Sequence, residues 1–414
     1  MKPVAEQMEV LMRGVDYGDP AIRRNMEEEL RERLSKGRPL KVYLGVDPTS
    51  PDIHLGHMVP LMKLKQFQDL GHNVTFLIGD FTGMVGDPSG RTKTRPMLTR
   101  DELEANMRTY TDQAFNVLDR TKTEVRYNSD WLAKLTFADV VRVASNLTVA
   151  QLLERDYFRK RYDAGESIRL HEFLYCLMQG YDAYMLETDV QVGGVDQLFN
   201  LLVGRDVQRA NGQRPQVVVT VPLLVGTDGA AKMSKSLGNA IGIAEQPSDM
   251  YGKIMSLPDD VMASYFTLVT EIGTAEIAGM ERGIRDGSLH PMDVKKRLAR
   301  EVVVRFHGEA AALEAELSFK SHVQEKNIPE DIPVVTVPAD YPDRVSVVDL
   351  AMLAGLSGSK SQVRRLMEQG GVELDGVRVT DRDATTAVCD GMLLRVGKRK
   401  FARFRRQGFD IHKG

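Results

Sequence analysis

The most constraining feature of this chain is a strand that hands directly over to a helix. Lys41–Asp47, KVYLGVD, is an apolar run that reads as a buried strand, and Pro48 and Pro51 end it. From His54 to Leu70 apolar positions recur at helical spacing until Gly71 stops them. A second strand follows at Asn73–Gly79, NVTFLIG. Thr123–Tyr127, Thr188–Val192 and Gln216–Val221 repeat the pattern, with helical stretches between them. Strands separated by helices need crossover connections, and crossovers build a parallel sheet covered on both faces. The pattern therefore predicts an α/β fold: a Rossmann-like, doubly wound parallel sheet over residues 1–246.

From Pro247 through Phe319 the spacing is helical, which predicts an all-α domain over residues 247–326. Asn327–Pro342 contains Pro329, Pro333, Pro338 and Pro342, and the stretch 327–343 reads as a linker. Residues 344–414 read as a small α+β unit. Asp349–Ala354 and Ser361–Glu368 are short helices, and Val372–Leu374 and Val377–Thr380 form a hairpin around Asp375-Gly376.

Charge divides along the same lines. The 414 residues carry a net charge of −3, yet residues 344–414 hold 14 Lys/Arg against 8 Asp/Glu, or +6, and the remainder 41 against 50, or −9. A basic appendage on an acidic body fits nucleic-acid contact or a solvated surface, and charge alone does not choose between them. At 42% hydrophobic and 27% charged, the composition is that of a globular protein, and no apolar run approaches a membrane span. The segment MKPVAEQMEVLMRG has no apolar signal-peptide core, and Glu6 and Glu9 argue against a transit peptide. With only Cys176 and Cys389 present, a cytoplasmic protein without a disulfide framework is expected.

Two short strings carry the chemistry. His54-Leu55-Gly56-His57 opens the first helix after a strand, where free N–H groups and the helix dipole favour phosphate. His54 and His57 share one face of that helix and can both donate toward phosphate oxygens, while Gly56 lets a flat ring lie close to the backbone. A zinc site is not expected, because no Glu follows the first His and no third ligand stands nearby. Lys232-Met233-Ser234-Lys235-Ser236 follows a strand and a glycine-rich stretch containing Gly226 and Gly229. Two lysines on such a loop can close over a leaving pyrophosphate and neutralise its charge. Taken in this order, the two strings point to activation of an acid by ATP as an adenylate. A third pattern lies at Tyr175, Gln179 and Asp182, which fall on one face of a helix whose neighbours are apolar. Either a polar ligand or water must satisfy them.

The two strings resemble the HIGH and KMSKS motifs of class I aminoacyl-tRNA synthetases, with Leu55 in place of Ile. The layout of KVYLGVDPTSPDIHLGH over Lys41–His57, GDPSG at Gly86–Gly90, GGVDQ at Gly193–Gln197 and RFHGEAAALEA at Arg305–Ala315 is similar to bacterial-type tyrosyl-tRNA synthetases, and the similarity covers the whole chain. The resemblance implies a tyrosine–tRNA ligase, with L-tyrosine, ATP and tRNA-Tyr as partners. It implies that Tyr43 and Asp182 hold the phenolic OH, that Asp87, Tyr175 and Gln179 hold the ammonium group, and that Gln197 orients the carboxyl end. Thr49, His54 and His57 would bind phosphates, and Gly45, Asp47, Gly56, Gly194 and Asp196 would shape the adenosine and ribose site. Lys232 and Lys235 would hold pyrophosphate. Mg²⁺ is expected on the phosphates, with no metal site of the protein's own.

A homodimer is implied by the family alone. Leu44 and Pro60 offer no polar contact beside the ATP site, and the basic segment Arg91–Arg95 is assigned to the phosphate machinery without individual roles. No editing domain is expected, since a site built to hydrogen-bond the phenol rejects phenylalanine by itself, a discrimination for which these synthetases are the standard example. The basic unit resembles the RNA-binding domain of ribosomal small-subunit protein S-four. On it Lys360, Arg364, Arg365, Lys398, Arg399 and Lys400 would meet folded RNA, in the company of Arg395. Two alternatives remain open: a tryptophanyl-tRNA synthetase, which shares the sheet domain, and an RNA-binding protein built on a synthetase frame.

Overall fold

The computed structural model describes residues 1–49, 53–89, 99–321, 332–338, 342, 344–397 and 400–406. The chain forms two compact units, Met1–Glu316 and Leu317–Gly414.

The first unit is built on five parallel strands: β1 (Lys41–Val46), β2 (Asn73–Ile78), β3 (Thr123–Tyr127), β4 (Val190–Gly194) and β5 (Val217–Val221), in the order β3-β2-β1-β4-β5. All five expected strands are present. β1 sits centrally, pairing with β2 on one side and β4 on the other, so Tyr43 lies opposite Thr75 and Gln191. The winding reverses between β1 and β4, and in such sheets the cleft opens beyond the carboxyl ends of those two strands. β5, Val-Val-Val-Thr-Val, is buried at every residue, as a parallel strand covered on both faces must be. β4 begins two residues later than its sequence suggests. Asp189 is taken up by ion pairs with Arg33 and Arg38, both at 2.7 Å, and by the N–H of Lys41 at 3.0 Å.

Helices follow from Pro247, beginning with Pro247–Met255, whose proline occupies the first turn, where its missing N–H costs nothing. Met262–Val269, Thr274–Asp286 and Pro291–Phe319 continue the series, the last interrupted at Gly308, where φ is 83°.

The second unit holds a five-stranded sheet and a two-stranded one. Its strands are β6 (Val334–Val337), β7 (Arg344–Ser346), β8 (Val372–Leu374), β9 (Val377–Arg378), β10 (Thr385–Ala387), β11 (Leu393–Val396) and β12 (Lys400–Arg406). The larger sheet runs β6-β12-β11-β8-β9, and β10 pairs with β7. Helices Val347–Leu353 and Lys360–Glu368 pack through Leu350, Val363 and Met367 onto Leu394 and Phe404. The β8–β9 hairpin turns at Asp375 and Gly376 with φ of 47° and 81°, the left-handed pair that a two-residue hairpin demands.

One expectation needs correction. Val334–Val337, inside the stretch read as a linker, is a strand parallel to β12. Its β-branched run favours extended backbone, and as an edge strand it tolerates flanking prolines. Much of 327–343, along with Gly90, Arg91–Arg95, Lys398 and Arg399, lies outside the described residues.

Candidate active site

A cavity of about 330 Å³ opens at the carboxyl ends of β1 and β4. Tyr43, Gly45, Asp47, Thr49, His57, Asp87, Tyr175, Gln179, Asp182, Gly194, Asp196, Gln197 and Lys232 line it, as do Leu44 and Pro60. Residues from six separate stretches of sequence therefore meet in one place, and the sheet's switch point explains why. His54, Gly56 and Lys235 are not in the lining.

At one end Tyr43 is 1% exposed and packs against Leu77, Trp131 and Ala183. Among the described residues its hydroxyl and Gln179 Oε1 are buried without a hydrogen-bond partner. Two such groups on the wall of one cavity are costly unless a polar ligand meets them. Asp182 is also buried. It accepts from Trp131 Nε1–H at 2.7 Å and from Asn128 Nδ2–H at 3.2 Å. Burial dominates and pushes its carboxyl up to about 8 despite these two donors. Asn128 also donates to Thr82, and Thr82 donates to Asp47 at 2.6 Å. Tyr175 donates to the other oxygen of Asp47 at 2.8 Å. Asp47, expected beside the ribose, is thus tied to the helix Leu170–Met185 that carries Tyr175, Gln179 and Asp182, and sits where the two ends of the cavity meet.

A second chain of contacts sets the carboxyl end. Gln197 donates to Asp87 at 2.6 Å, and Asp87 also accepts the N–H of Ser89 at 2.9 Å. Ser89 is gripped by the buried Arg155 at 3.0 Å and by Asn200 at 3.3 Å. Trp131, Asn128, Thr82, Ser89, Arg155, Asn200 and the cavity-lining Tyr110 were not singled out in the sequence. Two of them had a cue: Trp131 is the single tryptophan of the chain, and Ser89 lies inside the GDPSG string.

At the other end the helix Leu55–Asp69 begins. His54 Nδ1 accepts the N–H of Gly56 at 3.2 Å, and His57 Nδ1 accepts the N–H of His54 at 3.4 Å. The two rings stack with centroids 3.8 Å apart. An Nδ1 that accepts must be unprotonated, so in the neutral ring the proton sits on Nε2, which remains available as a donor. Burial, reinforced by Lys235, lowers His54 to about 4; burial, His54 and Lys235 together lower His57 to about 3. Both are therefore neutral donors at physiological pH. Gly56 leaves room for the His54 ring: a Cβ there would lie 3.0 Å from it, and the ring would have to give way by a few tenths of an ångström.

The lysine loop is stitched to this helix start. Leu55 N–H donates to Ile241 and Ile243 N–H to Ile53, at 2.9 and 3.1 Å. Lys232 reaches the cavity, and the charge of Lys235 acts on both histidines.

In the second unit Arg364, Arg365 and Lys400 lie on described elements, while Lys360 pairs with Asp349 at 2.7 Å. Arg395 is held by Glu373 at 3.0 Å and lies over Phe401, so it serves the sheet.

The parallel five-stranded sheet brings a helix start carrying two histidines and a loop carrying two lysines to one cavity. The chain belongs to the class I tRNA synthetase family for tryptophan and tyrosine, which it matches over residues 35–324. It is 52% identical over 400 residues to the tyrosine–tRNA ligase of Moorella thermoacetica, covering 97% of this chain and 96% of that protein. It is 49% identical to that of Geobacter sulfurreducens, covering 97% and 98%. Among solved structures it resembles the C-terminally truncated mitochondrial tyrosyl-tRNA synthetase of Aspergillus nidulans, at 25% identity and a TM-score of 0.61, over 77% of this chain and 94% of that one.

Proposed function

We propose that this protein is a bacterial-type tyrosine–tRNA ligase: it activates L-tyrosine with ATP and transfers the tyrosyl group to the 3′ end of tRNA-Tyr. The observation that carries the reading is the polar end of the cavity. There the unpartnered Tyr43 hydroxyl and the Asp182 carboxyl group line the same cavity. The Tyr43 hydroxyl donates to the phenolic oxygen, and the phenolic OH donates to Asp182. Gln179 Oε1, Tyr175 and Asp87 receive the ammonium group, and Gln197 orients the carboxylate.

A carboxylate oxygen then attacks the α-phosphorus of ATP. The bond to the β-phosphate oxygen breaks, and pyrophosphate leaves with the electron pair. The nucleophile is already charged, so no general base is needed, and rate comes from placement and from stabilising charge. His54, His57 and Thr49 hold phosphate oxygens. Gly45, Asp47, Gly56, Gly194 and Asp196 surround the nucleoside, and Lys232 and Lys235 meet the pyrophosphate. Mg²⁺ would accompany ATP and help neutralise the charge of its phosphates, with no ligand set of the protein's own among the described residues.

The remaining assignments belong to the same reading. Residues 1–246 are the catalytic domain, 247–326 a helical domain on the anticodon side, and 344–414 an RNA-binding domain that the strand Val334–Val337 completes. Arg364, Arg365 and Lys400 supply phosphate contacts there; Lys398 and Arg399 are assigned the same role from sequence. The enzyme works in the cytoplasm as a homodimer. Support for the dimer is the apolar surface of Phe137 and Leu170, 85% and 76% exposed, beside an apolar groove lined by Val140, Val143, Leu174 and Tyr181. No helix among the described residues is long and apolar enough to cross a membrane.

Charging of tRNA-Tyr by the full chain tests the assignment. The wild type should accept tyrosine onto tRNA. Arg364→Glu combined with Arg365→Glu should lower charging while sparing adenylate formation. Equal loss of both steps would contradict the RNA role of the second unit.

A further inference from the structure

The lysine loop is pinned from behind by one buried amide. Asn239 is 3% exposed. Its Oδ1 accepts the N–H of Ser234 at 2.8 Å, and its Nδ2 donates to the carbonyl of Lys232 at 3.2 Å. The amide thus bridges the two residues flanking Met233. The same Nδ2 donates to Asp228 Oδ2 at 2.9 Å. The other oxygen of Asp228 accepts the N–H groups of Ala230 and Ala231, both at 3.1 Å. With two acceptors on one side of the amide and a donor on the other, only one orientation satisfies it.

The surroundings are shaped to this side chain. A Cβ at Gly226 would lie 2.3 Å from the Asn239 amide, so no larger residue fits there. Met233, 5% exposed, is directed at the histidine helix, and a Cβ on Gly56 would lie 3.6 Å from its Cβ. The pinned segment therefore sends Lys232 into the cavity and sets Lys235 beside the two histidines.

We propose that Asn239, oriented by Asp228, is a positioning residue for adenylate formation: it sets the geometry from which Lys232 and Lys235 act on the leaving pyrophosphate. It touches neither substrate nor reacting atoms. The inference rests on the reading of the two lysines as pyrophosphate ligands, and the test separates the two.

Single-turnover formation of tyrosyl-adenylate is measured on the full chain with ATP, Mg²⁺ and tyrosine, for wild type, Asn239→Ala, Lys235→Ala and the double variant. Asn239→Ala slows the step on the order of 10- to 100-fold, as a misplacement of about 1 Å does, with tyrosine affinity changed less than about two-fold. Lys235→Ala alone slows it on the order of 100-fold. The double variant is no more than about three-fold slower than the slower single, because a displaced lysine has little left to lose. Multiplying effects overturn the proposal, as does a loss of tyrosine affinity in step with the rate. A wild-type rate from Lys235→Ala removes the lysine reading and the proposal with it.

Asp228→Ala provides a second arm. The Asp228 side chain is exposed, so the fold is not at stake, and its removal should slow the step about three- to ten-fold by releasing the amide. That loss should not multiply with the loss from Lys235→Ala. A wild-type rate from Asp228→Ala overturns the orienting role.

Discussion

Replacing Tyr43 by Phe removes one oxygen and should move stability and affinity in opposite directions. The ring sits on the central strand, 1% exposed, packed on Leu77, Trp131 and Ala183. Phenylalanine keeps that packing and leaves no hole of consequence. In the free protein the hydroxyl is buried without a protein partner. A group in that position costs about 1–3 kcal/mol, so the variant should be at least as stable as wild type. Each kcal/mol gained would raise the melting temperature by about 2–4 °C in a domain of this size.

With tyrosine bound, the variant lacks one neutral hydrogen bond, about 0.5–1.5 kcal/mol, which is about a 2- to 13-fold loss of affinity. Phenylalanine never made that bond, so the preference for tyrosine should narrow by the same factor. Thermal melts with and without tyrosine, together with pyrophosphate exchange driven by each amino acid, measure both quantities. A destabilised free protein with an unchanged tyrosine-to-phenylalanine ratio would refute the reasoning.

Two further predictions follow from the same site. Asp182, raised to about 8 by burial, keeps its proton in the folded state across a range where the unfolded chain has released it. Its contribution to stability is therefore lost as pH rises from about 4 to 8. Comparing wild type with Asp182→Asn, the wild type should lose ground steadily over that range, and a flat difference in melting temperature would contradict it; the variant should also discriminate poorly against phenylalanine. His54→Ala should cost about 1 kcal/mol through the lost cap, whereas His54→Asn, with an oxygen for the Gly56 N–H, should not. Both should slow adenylate formation on the order of 100-fold through the missing Nε2–H donor, and melts alongside single-turnover rates separate the two effects.

The parts legible in the sequence are those whose signal is local. The five strands of the first unit stand out because buried parallel strands are continuous apolar runs. The face carrying Tyr175, Gln179 and Asp182 follows from helical spacing alone. What sequence reasoning missed lies across long separations: Asn128 and Trp131 reach Asp182 from 54 and 51 residues away, and Arg155 reaches Ser89 from 66. No periodicity encodes such contacts, which exist only once the sheet has wound. Val334–Val337 was read as linker because its prolines outweighed its β-branched run, and only the pairing with β12 decides between them. The second role of the histidines was also hidden. Their spacing suggests phosphate donors, but that each ring also caps its own helix, leaving Nε2 protonated, depends on the turn that His54 begins.

The measurement that tests the central claim most directly is ATP–pyrophosphate exchange, run with each of the twenty amino acids in turn. Exchange that depends on tyrosine alone is the predicted result, and it would establish adenylate formation and its substrate together. Exchange with tryptophan, or with no amino acid from folded protein and Mg²⁺, would contradict the account.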